Sequence, residues 1–386
     1  MRAILPSATL AMAARAQALR AAGKDVISLS AGEPDFDTPT FIRRAASQAL
    51  DNGATRYTPV AGTPELRRAV VEMTRRLYGW SIEPQQTVVG VGAKQVLFNA
   101  CASLLDPGDE AVIIGPYWVS YPETVKFAGG VPVMVPTEET RGFVPQRESL
   151  SAALTARTRL LILNSPNNPT GVCFDAQTLG MIAELLRQRP DVFVITDDIY
   201  YALVYDAPFV SIAQLAPELL PRTLVVTGVS KSYAMTGWRI GFGMGPVELI
   251  AAMTNLQGAS TSGATAVAQA AALAAILGDD KTVLAMRDTF KQRRDRMVTQ
   301  LRAIPEVRCV TPGGAFYAFA NLSAYYGSRV GTSQAMCEYL LTEALVAAVP
   351  GDAFGSDAHV RLSFATSDAH IDEGVARIEK ALKALR

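Results

Sequence analysis

The sequence predicts an α/β fold with a mainly parallel central sheet covered by helices on both faces, together with a smaller α+β domain. A chain of 386 residues is too long for one compact core and indicates two domains. Hydrophobic residues make up 49% and charged residues 19%, a balance typical of a folded globular protein. Between about residues 87 and 280, short apolar runs alternate with longer segments of helical period, which indicates strands joined by helices.

The predicted strands of the larger domain are apolar along their whole length. They are Thr87–Val91, Ala111–Ile114, Val131–Val135, Leu160–Leu163, Val192–Ile195, Leu224–Val226 and Arg239–Gly243. Helices are predicted at Ala93–Leu104, Tyr121–Phe127, Asp175–Arg189 and Val247–Met253. Strands of this kind are buried on both faces, so a mainly parallel sheet is expected.

The pattern changes after about residue 280, where a long helix rich in acidic and basic residues begins. The elements predicted there are a helix at Lys281–Ile304, strands at Val307–Val310, Ala315–Phe319 and Val360–Phe364, a helix at Ser333–Ala347 and a final amphipathic helix. This mixture predicts a smaller α+β domain over residues 281–386. The larger domain is expected over residues 36–280.

Composition gives no support to several classes of function. The 36 basic and 36 acidic residues cancel, so the charge balance does not indicate a partner such as nucleic acid or an anionic membrane surface. No apolar stretch is long enough for a membrane span, and Ala264–Leu277 is expected to be a buried helix. The apolar residues near the N-terminus are interrupted by Pro6 and Ser7, so a signal peptide is not expected, and residues 8–22 are predicted to be a helix closed by Gly23.

The four cysteines are widely separated and contain no CxxC pair. This spacing is typical of buried or incidental thiols in a reducing cytoplasm rather than of a disulfide framework. Glu33, Asp35 and Asp37 could form a metal-binding loop, but the flanking prolines favour a structural turn, and no metal is expected. The two histidines lie far from any sequence motif of a serine or cysteine nucleophile, so a catalytic triad is not expected.

Lys231 follows a predicted strand in the run 225–239, and Arg239 lies eight positions further on. An isolated lysine at such a place is most simply a surface residue. Two upstream segments favour another interpretation: the proline-containing turn at 164–171 and the polar segment at 197–200 each follow a predicted strand. Ligands of open α/β sheets bind at the carboxyl ends of strands, so these segments together predict a binding site.

The segments 164–171, 197–200 and 225–239, in this order, resemble the class I aminotransferases, which are fold-type I pyridoxal 5'-phosphate enzymes. The phrases at 30–39, 116–122 and 359–365 extend the resemblance over essentially the whole chain, and within the family it is strongest to the bacterial aspartate aminotransferase subgroup. The resemblance implies a homodimer with shared active sites. It also implies that residues 1–35 join residues 281–386 in a discontinuous small domain.

The resemblance implies the roles of the catalytic residues. Lys231 would carry the cofactor as a Schiff base and, once released, move a proton at the substrate α-carbon. Asp197 would keep the pyridine nitrogen protonated, although a carboxylate at this place could also be a helix N-cap. Tyr200 and Asn168 would bond the cofactor's phenolate oxygen, although Asn168 could instead serve only the turn that contains it. We also predict a cis peptide bond at Asn168–Pro169.

The phosphate of the cofactor is expected where a helix begins after the first strand of the sheet. Gly92, Ala93 and Lys94 open that helix, whose amides and dipole favour an anion. Arg239 would add a charged contact and Ser230 a hydroxyl. Tyr57 matches a family tyrosine that reaches the phosphate of the neighbouring subunit; considered alone, it would be a turn aromatic.

The substrate is expected to meet a further set of residues. Trp118 would stack on the cofactor ring, although an indole at a strand end is often part of a core. Arg361, flanked by apolar residues, either extends its charge to solvent or holds the substrate α-carboxylate in a bidentate contact near Gly32, and the resemblance implies the second.

Lys94 is the candidate for recognising a distal carboxylate, although it could be an ordinary exposed lysine of a first helical turn. Relatives often carry a second lysine where this chain has Leu5. This departure weakens the prediction of selectivity for dicarboxylates and of activity with prephenate. The leading prediction is amino transfer from aspartate to 2-oxoglutarate. The alternatives are an aminotransferase for aromatic or neutral amino acids or prephenate, a pyridoxal phosphate-dependent lyase, and a regulatory module with an added DNA-binding domain. No basic helix-turn-helix precedes the matching phrases, which favours an enzyme.

Overall fold

The computed structural model describes residues 8–386, and its elements follow the predicted order closely. The helices are α1 (Ala8–Ala21), α2 (Thr40–Asp51), α3 (Pro64–Tyr78), α4 (Ala93–Leu104), α5 (Ser120–Phe127), α6 (Arg147–Ala153), α7 (Ala176–Arg187), α8 (Ile212–Leu215), α9 (Val247–Ser260), α10 (Ala266–Leu277), α11 (Lys281–Ala303), α12 (Ser333–Glu343) and α13 (Asp368–Lys383). The strands are β1 (Ile27–Ser28), β2 (Thr87–Val91), β3 (Glu110–Ile114), β4 (Val131–Val135), β5 (Thr158–Asn164), β6 (Phe193–Asp197), β7 (Thr223–Gly228), β8 (Ile240–Met244), β9 (Arg308–Cys309), β10 (Tyr317–Asn321), β11 (Val346–Ala347), β12 (Val349–Pro350) and β13 (His359–Ser363).

A seven-stranded sheet forms the centre of the larger part, in the order β2-β8-β7-β6-β5-β3-β4. Only β8 runs antiparallel to its neighbours, so the sheet is mainly parallel, as predicted. The strands β5, β6 and β7 are almost entirely buried because helices cover both faces of the sheet. Their carboxyl ends therefore meet at one edge, where the polar segments of the sequence lie.

Two smaller sheets make up the rest. A four-stranded antiparallel sheet has the order β12-β13-β10-β9, and β1 pairs with β11 in parallel. Their shared core contains Phe290 from α11, Phe316 beside β10 and Leu362 from β13. The predicted division into residues 36–280 and residues 1–35 with 281–386 stays a prediction.

Several predicted boundaries are wrong. The helix predicted at Val247–Met253 continues to Ser260, and three others differ for identifiable reasons. The helix predicted to reach Ala347 ends at Glu343, because Leu345 adopts a φ of 55° and the next two residues pair with β1. Arg239 precedes β8 instead of starting it, because its own φ is 57°, a left-handed conformation that no strand residue adopts. The two-residue strand β9 is shorter than predicted since only Arg308 and Cys309 pair with β10.

Candidate active site

A cavity of about 380 Å³ lies at the carboxyl ends of β5, β6 and β7. Every predicted site residue except Gly92 and Tyr57 lines it: Gly32, Ala93, Lys94, Trp118, Asn168, Asp197, Tyr200, Ser230, Lys231, Arg239 and Arg361. These residues come from both the large sheet and the smaller sheets. The cavity therefore depends on the packing of the two parts against each other.

Lys231 reaches the cavity from the turn that follows β7. Its Nζ donates a hydrogen bond of 2.7 Å to the carbonyl oxygen of Gly32, which lies 199 positions earlier in the chain. Burial lowers the pKa of Lys231 to about 8, and the nearby Glu33 carboxylate opposes this shift. A substantial fraction of the amine is therefore neutral near physiological pH, which is the form that attacks a carbonyl.

Asp197 is the last residue of β6 and is 4% exposed. Its Oδ2 accepts a hydrogen bond of 2.7 Å from the Tyr121 hydroxyl, and its Oδ1 accepts one of 3.3 Å from the Ile199 amide. Burial raises the pKa of Asp197 to about 6, while the bond from Tyr121 opposes the shift. The segment after Asp197 forms turns and no helix, so Asp197 is not a helix N-cap.

Tyr200 follows Asp197 by three residues and is buried against the smaller part of the chain. Its hydroxyl lies 2.9 Å from the Tyr317 hydroxyl, and the two rings meet edge to face. No role was predicted for Tyr317 or Tyr121. Tyr121 lies in the segment 116–122, close to Trp118, and that was its only sequence signal. Tyr317 lies in a predicted strand with no assigned site residue near it in the sequence, so nothing there indicated a role.

Asn168 is oriented by hydrogen bonds of the turn at 164–171. Its amide donates to Asn164 Oδ1 at 2.9 Å, and its Oδ1 accepts a bond of 3.0 Å from Arg361. The cis bond predicted at Asn168–Pro169 is wrong: among residues 8–386 the cis bonds are Gly115–Pro116 and Ser165–Pro166. The bond from Arg361 directs the Asn168 side chain, and Asn164 holds its backbone amide, without a cis bond at Pro169.

Arg361 lies in β13 and is 1% exposed. Its Nη2 donates a bond of 3.0 Å to the Ser30 carbonyl, but its Nε has no hydrogen-bond partner among residues 8–386. Tyr317 and Phe354 lie 4.4 and 5.1 Å from the guanidinium carbon, measured to their ring centroids. A buried guanidinium held by neutral groups, with no carboxylate beside it, favours an anionic ligand.

Lys94 and Trp118 form one wall of the cavity. The Lys94 Nζ lies 4.7 Å from the Trp118 ring centroid, a cation–π contact. Burial lowers the pKa of Lys94, and Arg239 lowers it further. Neither Lys94 nor Arg239 forms an ion pair with a carboxylate within the described chain. With Lys231 and Arg361, the cavity holds four basic side chains against the single carboxylate of Asp197, so its electrostatic character favours anions.

Comparisons with known proteins give one consistent result. The sequence profile described as aminotransferase class I and II matches residues 24–378. An aspartate/prephenate aminotransferase of Cereibacter sphaeroides is 45% identical over 383 residues, covering 97% of this chain and 96% of that protein. The crystal structure of the Rhizobium meliloti aspartate aminotransferase has a TM-score of 0.95 at 44% identity, covering 98% of this chain and 97% of that one. The Thermus thermophilus aspartate aminotransferase with maleate has a TM-score of 0.94 at 42% identity and covers 98% of both chains.

The chain belongs to the class I and II aminotransferases. It is a transaminase that depends on pyridoxal 5'-phosphate, and it has the fold-type I architecture that the sequence predicted.

The residues of this aminotransferase fit the cofactor's phosphate at the start of α4. Gly92 has a φ of 80°, and a Cβ there would lie 2.5 Å from Arg239 Nη2, so the guanidinium packs directly against the glycine. Gly241 allows a similar approach, since a Cβ there would lie 2.1 Å from the Ala93 nitrogen. A helix N-terminus and a guanidinium are thus held together, and both bind phosphate.

The other predicted features of the aminotransferase site differ in how far the structure describes them. Tyr57 is 96% exposed and lies outside the cavity. Leu5 lies outside the described residues. In the part of the chain that is described, no group of three or more His, Cys, Asp or Glu side chains could hold a metal ion, and no helix is long and apolar enough to cross a membrane. All four cysteines are free, and three of them are buried.

Proposed function

We propose that this aminotransferase moves the amino group of L-aspartate to 2-oxoglutarate in two successive half-reactions. The observation that carries the proposal is the presence of two cavity-lining cations, Arg361 and Lys94, that have no carboxylate partner among the described residues. A dicarboxylate substrate supplies two carboxylates for them. The naming of the relatives as aspartate aminotransferases, and the solution of one of them with the dicarboxylate maleate, support the same substrate class.

Each candidate residue has a distinct part in this reaction. Arg361 binds the substrate α-carboxylate, with Asn168 bonded to its Nη1. Lys231 moves a proton at the substrate α-carbon, because its pKa of about 8 lets it act as base and then as acid near neutral pH. Bound pyridoxal phosphate supplies the carbonyl that takes up the amino group and a ring that withdraws electrons from the α-carbon.

Asp197 and Tyr200 are assigned to the part of the site that would bind the pyridine ring of the cofactor. The ionised Asp197 carboxylate would keep a proton on the pyridine nitrogen of a bound cofactor, and Tyr121 stabilises that carboxylate through its hydrogen bond. Tyr200 and Asn168, which both line the cavity, would hydrogen-bond the phenolate oxygen. Gly92, Ala93, Ser230 and Arg239 would hold the phosphate, and Trp118 would stack on the ring.

A second candidate function is amino transfer from aromatic amino acids or to prephenate. The specific observation in its favour is that the Trp118 ring lines the cavity beside Lys94, 4.7 Å from its ammonium. The same wall therefore offers an aromatic surface on which an aromatic side chain could pack. The Cereibacter sphaeroides relative is named for both aspartate and prephenate.

The assembly and location of the enzyme belong to the same proposal. We place Tyr57 in a homodimer interface, because a phenol that is 96% exposed on one chain gains a partner if it reaches the phosphate of a second subunit. The division into residues 36–280 and residues 1–35 with 281–386 would let the two parts close over a substrate. Four free thiols support a reducing cytoplasmic location.

Half-reactions with single amino acids test the substrate assignment. The purified holoenzyme is mixed with one amino acid at a time, and the change in cofactor absorbance gives kcat/KM for that half-reaction. Aspartate and asparagine form the matched pair, because they differ only in the charge of the distal group. Aspartate should react at least about 100-fold faster than asparagine, the size expected when a buried cation loses its partner. Equal rates, or faster reaction with phenylalanine, would favour the second candidate.

A further inference from the structure

Tyr317 connects the two parts of the enzyme at the active site. It is the first residue of β10 in the four-stranded sheet and is 1% exposed. Its hydroxyl lies 2.9 Å from the hydroxyl of Tyr200, which belongs to the segment after β6 of the seven-stranded sheet. Because both groups are buried, each hydroxyl depends on the other or on a bound ligand for its hydrogen bonds.

The other contacts of Tyr317 are with groups already assigned to the cavity. Its ring centroid lies 4.4 Å from the Arg361 guanidinium carbon. A Cβ on Gly32 would lie only 3.7 Å from the Tyr317 hydroxyl oxygen, and the Gly32 carbonyl is the acceptor for Lys231. One side chain of Tyr317 therefore contacts Tyr200 and Arg361, and its hydroxyl lies on the side of Gly32 where a Cβ would be.

The direction of the Tyr200–Tyr317 hydrogen bond follows from the single proton that each hydroxyl carries. Burial raises the pKa of both, that of Tyr200 well above its ordinary value. The Arg361 cation opposes the rise for both phenols but does not reverse it, so both hydroxyls keep their protons, and the Tyr317 ring lies against that cation. If Tyr200 donates its one proton to the phenolate oxygen of a bound cofactor, as proposed above, the Tyr200 oxygen can only accept from Tyr317, so Tyr317 is the donor in the bond of 2.9 Å.

We propose that Tyr317 is a positioning residue with two functions: its hydroxyl directs the Tyr200 proton into the cavity, and its ring holds the Arg361 guanidinium in place. The first function rests on the proposed role of Tyr200 as a donor to the cofactor's phenolate oxygen. A donor that itself accepts a hydrogen bond is polarised and donates more strongly. Removing the Tyr317 hydroxyl therefore weakens the bond from Tyr200 without removing Tyr200.

Two substitutions separate the hydroxyl from the ring. Tyr317→Phe keeps the aromatic face for Arg361 and removes only the hydroxyl. A pH titration of the holoenzyme's absorbance should show the apparent pKa of the lysine–cofactor linkage rising by roughly half a pH unit, because the weaker bond from Tyr200 stabilises the phenolate less. The KM for the amino donor should change less than twofold. Tyr317→Leu removes the face as well and should raise the KM roughly tenfold, the size of a desolvated cation–π contact.

The controls test whether Tyr317 acts through Tyr200. Tyr339→Phe is the matched control, because it removes another buried hydroxyl, which donates to the Ala381 carbonyl at 2.9 Å and lies outside the cavity. It should leave the absorbance titration unchanged. In a Tyr200→Phe background, Tyr317→Phe should produce no further shift.

The outcomes distinguish this inference from the proposed function. If Tyr200→Phe alone leaves the titration unchanged, the proposed role of Tyr200 fails, and the hydroxyl function of Tyr317 fails with it. If Tyr200→Phe shifts the titration and Tyr317→Phe does not, only the hydroxyl function of Tyr317 is overturned. If Tyr317→Phe raises the KM as much as Tyr317→Leu does, the ring does not support Arg361.

Discussion

The Tyr121 hydroxyl donates a hydrogen bond of 2.7 Å to Oδ2 of Asp197, and both side chains are buried. The contact joins the start of α5 to the end of β6. A buried carboxylate is costly to ionise, and burial raises the pKa of Asp197 to about 6. Tyr121 favours the ionised form, since its hydroxyl donates a hydrogen bond to the carboxylate.

Tyr121→Phe should therefore raise the pKa of Asp197. A hydrogen bond to a charged group contributes about 1.5–3 kcal/mol, so the shift should be about one to two pH units. As the pH is lowered, the variant would then lose the activity that depends on ionised Asp197 at a higher pH than the wild type does. The measurement is the acid limb of the pH profile of kcat/KM for variant and wild type. An acid limb at the same pH in both enzymes would contradict a link between Tyr121 and Asp197.

Lys231 should control how fast the apoenzyme takes up pyridoxal phosphate. Only the neutral amine attacks a carbonyl, and burial lowers the pKa of Lys231 to about 8. Uptake, followed by absorbance after mixing, should increase about tenfold per pH unit well below this pKa and level off above it. Borohydride reduction of the loaded enzyme should place the label on Lys231, and Lys231→Arg, which keeps the charge, should take no label. Label on another lysine would end the assignment.

Asp198 should make the apoenzyme less stable as the pH rises. Burial raises its pKa to about 7 from an ordinary value of 3.8, although the Thr196 hydroxyl donates to it at 2.6 Å. Below both pKa values Asp198 is neutral in the folded and the unfolded state, so it does not change the free energy of unfolding. Above about pH 4 Asp198 ionises more easily in the unfolded state, so the free energy of unfolding falls with rising pH until about pH 7.

Asp198→Asn removes this ionisation, so it should stabilise the apoenzyme more at pH 8 than at pH 5. The difference should be at most about 3 kcal/mol, measured by denaturant unfolding at both pH values. Asp175→Asn is the control. Asp175 caps α7, and the Thr178 amide lowers its pKa, so it is ionised in both states across this range. Its effect should be independent of pH, and a similar result for Asp198→Asn would contradict the prediction.

Much of the fold and the edge of the sheet where the cavity lies could be predicted because strand ends and local spacing are visible in the sequence, whereas Gly32, Trp118 and Arg361 were predicted through the family resemblance. All seven strands of the central sheet were predicted, with ends that differ by at most a few residues. Asn164, Asp197 and Lys231 each lie where a parallel strand ends, and that rule brought them together. The candidate phosphate site was proposed on the same kind of signal, since Gly92 separates β2 from α4.

What could not be predicted depends on contacts between distant parts of the chain. Tyr121 and Asp197 are 76 positions apart, and Tyr200 and Tyr317 are 117 positions apart, so no spacing rule relates them. The prediction of a cis bond at Asn168–Pro169 was wrong because the presence of a proline shows only that a cis bond is possible. The left-handed conformation of Arg239 could not be predicted either, since arginine rarely adopts it.

Tyr57→Phe should weaken cofactor retention while leaving the fold intact. Within a single chain Tyr57 is 96% exposed and does not pack in the core, so losing its hydroxyl should not change the unfolding midpoint of the apoenzyme. If a second subunit places it on the phosphate, the loss of one charged hydrogen bond should raise the dissociation constant of the cofactor about 10-fold or more. Dialysis with absorbance detection measures this. A strictly monomeric preparation with full activity would contradict a shared site.

Lys94→Ala tests which substrate the cavity selects. Burial lowers the pKa of Lys94, and its ammonium lies over Trp118, at the wall of a cavity that also holds Arg239. If Lys94 binds the distal carboxylate, its removal leaves that carboxylate unpaired and should cost aspartate roughly 2–4 kcal/mol in transition-state binding. Phenylalanine and alanine present no such charge, so their kcat/KM should change little.

The pattern across substrates decides what Lys94 does, because its charge also lies beside the phosphate residues. A loss confined to aspartate and glutamate supports distal carboxylate binding. An equal loss for all substrates, with weaker cofactor retention, would place Lys94 at the phosphate or the helix end. Lys126→Ala is a matched control, since Lys126 pairs with Glu123 on α5 outside the cavity and should affect no substrate. If wild-type enzyme prefers aromatic or neutral amino acids, the aspartate assignment gives way to the second candidate, whatever Lys94→Ala does.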